Sequence, residues 1–236
     1  GNSVRNVTAC PRAGVCPDET FDVTPYAHAT AQFLGGHPDT QDFGRKFKVA
    51  FSGCGGHACG LVSMHDLGAI AATKVVDGVE TRGFETYVGG GLGTVPYAAK
   101  LFDAFVPEEE FLPLAQAISR VFARLGEKKQ RARARIKFLV AELGIDEFRK
   151  LVLEERARLT PDPRWTAHLG ETPAGGGQPR PPAQPSNGGS RPSGFDRWQE
   201  TNVTAQRQAG YSMATITLPL GDLTSHQMRQ LASIAE

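Results

Sequence analysis

The sequence predicts an α/β (α+β) protein: a mixed sheet with flanking helices, followed by a smaller and incomplete strand–helix unit. Three observations carry this. Two short stretches alternate apolar with small or charged residues and end in glycine, as strands do. Longer stretches beyond residue 108 place apolar residues at helical spacing. A Gly/Pro/Ser-rich segment then separates this part from a new strand–helix pattern at the C-terminal side.

The first strand is KFKVAFSG, residues 46–53, in which Lys46 and Lys48 share one face and Phe47 takes the other. The second is GFETYVGGG, residues 83–91, with Phe84, Thr86 and Val88 on one face and Gly89, Gly90 and Gly91 ending it. EEEFLPLAQAISRVFARLG, residues 108–126, predicts a helix. Leu114, Ile118, Val121, Phe122 and Leu125 form its apolar stripe, and acids crowd its start, where the helix dipole favours them. QRARARIKFLVAELG, residues 130–144, alternates like a strand at Arg133, Arg135 and Lys137, but its strong helix formers and the closing Gly144 predict a helix. A further helix is expected over 145–159, with Phe148, Leu151, Val152 and Leu159 inward. These elements define a first domain over 1–158. Residues 159–198 are expected to be a linker, poorly ordered over its Gly/Pro/Ser-rich 170–194 stretch. The second unit, 199–236, should hold a strand in MATITLPLG and a helix capped by Asp222 or Thr224, with Met228, Leu231 and Ile234 as its stripe. Some thirty residues cannot close a core, so this unit needs partners.

Composition narrows the function classes. The net charge of +1 argues against a polyanion-binding protein, and so against nucleic acid as a partner. No run of 18 apolar residues exists, and no basic segment leads into an apolar one, so neither a membrane span nor a signal peptide is expected. The chain opens on Gly1 within motif-like sequence, as a fragment or processed product would. Four cysteines at 10, 16, 54 and 59 carry no secretory context, so thiols or metal ligands in a reducing cytoplasm are expected.

The charge is unevenly placed. Residues 124–137 hold seven basic side chains and one acid. Side-by-side ammonium groups at Lys46 and Lys48 repel, which a chain tolerates on a solvated face or around a bound anion. On a helix, Arg131/Arg135 and Arg133/Lys137 would be like-charge i,i+4 pairs, which suit a solvated face with compensating acids or a ligand carrying several carboxylates. Gly89–Gly91 let backbone approach a flat ligand or an anion, or simply form a turn. The cysteines read C-x5-C and C-x4-C, compatible with iron–sulfur or zinc ligation and equally with four small thiols.

Four strings occur in order: GNSVRNVTACPRAGVCPDETFDVTPYA, GRKFKVAFSGC, GFETYVGGGLGTVP and RARARIKFLVAELGIDEFR. Together with RQAGYSMATITLPLGDLTSHQMRQLA, they resemble the sirohaem-dependent nitrite/sulfite reductases. The first four, over about 1–158, resemble the sirohaem-binding domain, and the last resembles the opening of the family's ferredoxin-like half-domain. The resemblance implies a fragment of an enzyme that reduces sulfite to sulfide or nitrite to ammonia by six electrons, at sirohaem coupled to a [4Fe–4S] cluster. A non-catalytic anion- or tetrapyrrole-binding module is the alternative. It implies Arg5, Lys46 and Lys48 as the residues that hold the anion, with the lysines also donating protons. It places Arg45, Gly89–Gly91, Arg133, Arg135 and Lys137 near the cofactor. It implies as partners sulfite or nitrite, a ferredoxin or flavoprotein electron donor, and a carboxy-terminal half lying outside this chain. The family's cluster cysteines follow C-x5-C and C-x3-C in that other half. By the resemblance, Cys10, Cys16, Cys54 and Cys59, with their longer second loop, are remnants of a duplicated ancestor or ligands of a second cluster, and remnants are favoured.

Overall fold

A computed structural model of the chain describes residues 2–170 and 191–235. Most of the expected 170–194 linker lies outside the described residues. The described chain divides into two units on either side of that segment.

The first unit is a five-stranded mixed sheet in sequential order, β1 (Val4–Ala9), β2 (Phe47–Ser52), β3 (Leu67–Val76), β4 (Val79–Val88) and β5 (Lys100–Pro107). The first three strands run parallel, and the last three are joined by antiparallel pairing. Helix α1 (Thr24–Leu34) makes the crossover between β1 and β2, as a parallel pair requires. A two-residue turn, Asp77-Gly78, closes the β3–β4 hairpin, with both residues at positive φ (51° and 81°). That is the geometry whose twist matches the flanking strands, and it is why an Asp-Gly pair sits there.

Helices α2 (Phe111–Leu125), α3 (Ile136–Leu143) and α4 (Ile145–Ala157) follow the sheet. Along α2 the expected Leu114, Ile118, Val121 and Phe122 are buried, while Leu125 at its end is exposed. In β4, Phe84, Thr86 and Val88 are all fully buried, as their alternation predicts. Aromatic rings fill the space between sheet and helices. Phe51, Phe84 and Phe111 meet at centroid separations of 5.0–5.7 Å, and Phe43, Phe47 and Phe122 at 4.9–6.1 Å. Such packing adds specific ring–ring attraction to plain burial.

Two expectations change in this unit. The helix expected over 130–144 begins only at Ile136, because Arg135 is extended (φ −90°, ψ 148°) as its N-cap. Arg131, Arg133 and Arg135 therefore precede the helix, and the like-charge i,i+4 pairs do not form. Gly144 does end it, at φ 77°. The linker expected from 159 is displaced: Leu159 and Trp165 are buried, and the Trp165 indole N–H donates to Gln116 Oε1 on α2 at 3.0 Å. An indole in reach of both apolar cover and an acceptor packs rather than dangles.

The second unit holds α5 (Phe195–Asn202), a short antiparallel pair β6 (Val203–Ala205) and β7 (Ser212–Ala214), and α6 (Ser225–Ala235). The strand expected through Gly221 stops at Ala214, and Ile216 and Leu218 beyond it are exposed. Thr224, one of the two expected caps, accepts the Gln227 amide N–H through Oγ1, while Gln227 Oε1 accepts the Thr224 amide N–H. This reciprocal box fixes the start of α6. Met228 and Ile234 of the expected stripe stand exposed, as a unit too small to cover a helix would leave them.

Candidate anion site

The candidate site begins with an irregularity in β1. Val4 pairs with Phe47, but Lys48 pairs with Asn6 rather than with Arg5. Arg5 is thus the extra residue of a β-bulge, a feature that re-aims a side chain. The strand alternation of β2 then buries Phe47 and leaves Lys46 and Lys48 half-buried on the other face. The charges of Lys48, Arg135, Arg5 and Arg45 all reach Lys46. The Lys46 ammonium is held below its ordinary pKa, first by burial and then by those four cations. Four of the residues implied for anion or cofactor on the first strand and bulge thus converge, and Arg135 joins them from the N-terminus of α3.

Arg135 and Lys137 are not free heads, however. Arg135 donates from Nε and Nη2 to Asp66 Oδ1, at 2.9 and 2.7 Å, and both residues are buried. The other oxygen of Asp66 accepts the Lys48 backbone N–H at 3.0 Å. Burial pushes the Asp66 carboxyl up to about 6, with Arg135 and the Lys48 amide pulling it back. The Lys137 ammonium donates to the carbonyl oxygens of Val95 and Leu92 and lies over the rings of Phe138 and Tyr97, 5.0 and 5.5 Å from their centroids. Burial, then the Arg135 charge, lowers its pKa. Arg45 reaches across to the Arg131 carbonyl at 3.0 Å, which ties the basic segment to the start of β2. Arg133 points elsewhere: with Tyr97, Glu127 and Gln130 it lines a cavity of about 590 Å³ beside α3.

The glycine triplet is also engaged. Gly89 N–H donates to the Asp66 carbonyl (3.0 Å), Gly90 N–H to the His65 carbonyl (2.9 Å) and Gly91 N–H to the Tyr97 carbonyl (2.9 Å). The triplet therefore offers close backbone approach but no free donors for an anion. Gly90 is needed for packing, since a Cβ there would sit 2.5 Å from the Ser63 carbonyl oxygen.

The cysteines gather at one end of the sheet. Cys10 follows β1 and Cys54 follows β2, the parallel neighbour. The Thr20 N–H donates to the Gly53 carbonyl at 2.7 Å, drawing the Cys16 turn on to that end. Cys10, Cys16 and Cys54 are buried and Cys59 partly so, all as free thiols. Burial pushes the Cys10 thiol up; the Arg12 amide opposes this, and Cys59, Cys54 and Cys16 add to it. Even so, among the described residues no three Cys, His, Asp or Glu side chains stand where they could hold a metal ion.

Sequence reasoning missed Asp66. Its only signal was an acid directly ahead of the apolar run Leu67–Ala72.

Comparison with known proteins identifies the family. Residues 1–159 match the family model of the nitrite and sulphite reductase 4Fe-4S domain, and residues 204–236 match that of the nitrite/sulfite reductase ferredoxin-like half domain. The chain is 35% identical over 154 residues to the assimilatory ferredoxin-dependent nitrite reductase of Haloferax mediterranei, covering 63% of this chain and 26% of the relative. It is 34% identical over 155 residues to the ferredoxin sulfite reductase of Mycobacterium tuberculosis, covering 66% and 27%. The solved structure of the Mycobacterium tuberculosis NirA protein superposes with a TM-score of 0.59 at 33% identity, over 66% of this chain and 28% of that one. The matched part of this chain thus spans about a quarter of the length of these relatives. By the match over 1–159, it belongs to the nitrite and sulphite reductase family.

Proposed function

We propose that this chain is the anion-holding part of a sirohaem-dependent nitrite or sulfite reductase, an oxidoreductase. The observation that carries the reading is the clustering of Arg5, Arg45, Lys48 and Arg135 around Lys46. So dense a set of cations repels itself and favours an anionic counter-charge, and the buried acid beside them, Asp66, offsets only part of it. A small oxyanion and a polycarboxylate tetrapyrrole together suit that excess. Bound sirohaem coupled to a [4Fe–4S] cluster would supply the electrons of a six-electron reduction. This chain's residues supply position and protons. Arg5, aimed by the bulge, offers a planar fork for two oxyanion oxygens. Lys46, its pKa lowered, releases a proton more readily than a solvated lysine and so can protonate an oxygen as its bond to nitrogen or sulfur breaks. Arg45 stands beside the lysines as the residue best placed for a cofactor carboxylate.

Among the described residues, none form a ready shell for the cluster. The reading therefore puts the cluster ligands in the part of the family's length that this chain does not match, the matched part being about a quarter of each relative. Two relatives are named for ferredoxin, which makes ferredoxin the electron donor of this reading. The test is turnover of sulfite and of nitrite by the complete protein with an artificial reductant, for the parent and for Arg5→Lys, Lys46→Met and Lys48→Met. Each substitution is expected to lower the rate on the order of 10²-fold or more, the scale of general acid catalysis, with the haem spectrum kept. Rates within about twofold of the parent for all three would place the anion site elsewhere.

A further inference from the structure

We infer that Asp66 is a positioning residue of the anion site: its buried carboxylate fixes Lys48 in register and takes Arg135 out of the set of cations offered to the ligand. The inference rests on the reading of Arg5, Lys46 and Lys48 as the anion site, and it concerns how that site is held.

The argument starts from the β2–β3 ladder. Its pairing begins at Val49 with Leu67, so Lys48 lies one residue before the first rung on that side. A backbone N–H at that point has no partner in β3, and leaving it unpaired in a partly dry site would be destabilising. Asp66 Oδ2 accepts it at 3.0 Å and so extends the ladder by one side-chain rung. The residue so fixed is the one whose side chain shares a face with Lys46. Slippage by one residue would turn both lysines to the apolar side.

The second oxygen does something different. Asp66 Oδ1 takes two hydrogen bonds from Arg135, so a guanidinium that the sequence suggests for a cofactor carboxylate is already paired inside the protein. The same short segment also orders the turn after β4, because the carbonyls of His65 and Asp66 accept the N–H groups of Gly90 and Gly89. Residues 65–66 thus join three parts of the site: β2, the start of α3 and the glycine turn. A fully buried carboxylate with no exposure of its own is a poor candidate for touching substrate, which is why its role runs through Lys48 and Arg135.

The experiment uses the complete protein and two readouts. Hydrogen exchange followed by mass spectrometry reports the Lys48 amide without any ligand. In the parent it should be protected at least tenfold relative to an unstructured amide. In Asp66→Ala that protection should be lost, and in Asp66→Asn, which keeps an acceptor oxygen, it should largely remain. The second readout is kcat per bound sirohaem. Asp66→Ala should lower it about tenfold or more in molecules that still carry the cofactor, and Asp66→Asn should recover part of that loss. An unprotected Lys48 amide in the parent would overturn the inference, and that measurement holds even if a variant fails to fold. An unchanged kcat per sirohaem in Asp66→Ala would overturn it as well. A parent that binds no sirohaem, or turns over neither anion, would instead sink the proposed function, with the exchange result still deciding the Asp66–Lys48 link.

Discussion

Lys137 donates its ammonium proton to the Val95 carbonyl, so a cation at the start of α3 fastens the loop that follows the glycine turn. Its position over Phe138 and Tyr97 adds attraction from both ring faces. Lys137→Met keeps the buried stem and removes the charge-assisted bonds. The expected loss is about 1.5–3 kcal/mol of unfolding free energy, the range for hydrogen bonds to charged groups. Urea unfolding measures it, and a change below about 0.5 kcal/mol would show that the loop is held by other contacts.

Two neighbouring arginines should behave oppositely. Arg135→Gln leaves Asp66 buried without its guanidinium, and breaking a buried pair from one side costs about 3–5 kcal/mol. Arg133→Gln acts at an exposed position and should stay within about 0.5 kcal/mol of the parent. Equal unfolding midpoints for the two variants would contradict the buried pairing.

Asp66 also sets a pH dependence. Its folded pKa, about 6, lies above the ordinary carboxyl value of 3.8. Between those values the unfolded chain gives up the proton while the folded chain keeps it. The contribution of Asp66 to stability is therefore largest below pH 3.8 and declines as pH rises through about 6. The stability difference between the parent and Asp66→Asn should accordingly shrink as pH rises from 4 to 6, where thermal melts across the range would reveal it. A difference that grows over that range would give the shift the wrong sign.

The cysteines lie close together yet form no ligand shell as placed. Cys54→Ser and Cys59→Ser in the complete protein should leave iron and acid-labile sulfide unchanged. A loss of about four irons per chain would show that this end of the sheet holds a cluster of its own.

The packed segment after α4 yields a stability test. Trp165 is buried, bonded to Gln116 and lies under the Arg156 guanidinium at 4.9 Å. Trp165→Ala should cost about 3–5 kcal/mol, as large aromatic deletions from a core do. A cost under about 1 kcal/mol would return residues 159–169 to the linker.

What could be read in advance follows from how local each signal is. Phe84, Thr86 and Val88 declare a strand because alternation is a property of the segment itself, and the stripe of α2 is legible for the same reason. Thr224 and Gln227 stand three apart, so the start of α6 was legible too. The basic segment misled because Arg and Ala favour a helix by propensity, whereas Arg135 is drawn into extended backbone by a tertiary partner, Asp66, sixty-nine residues away. β1, β3 and β5 are not among the expected strands; in β3 and β5, exposed apolar residues such as Val75, Val76 and Leu101 blur the alternation. The gathering of Arg5 with Lys46 and Lys48 came from the family resemblance, because nothing within either segment reports the pairing of β1 with β2. The bulge that puts Arg5 there is likewise invisible to any one-strand pattern.

That bulge has a second effect, on assembly. β1 is an outer strand of the sheet, with β2 on one side and no strand on the other among the described residues. An outer strand ordinarily invites another chain to add to it through its open backbone groups. An extra residue at Arg5 breaks the even spacing that an incoming strand would have to match, and it plants a positive charge at the same point. The irregularity that sets Arg5 apart from its strand neighbours thereby discourages the sheet from taking another chain.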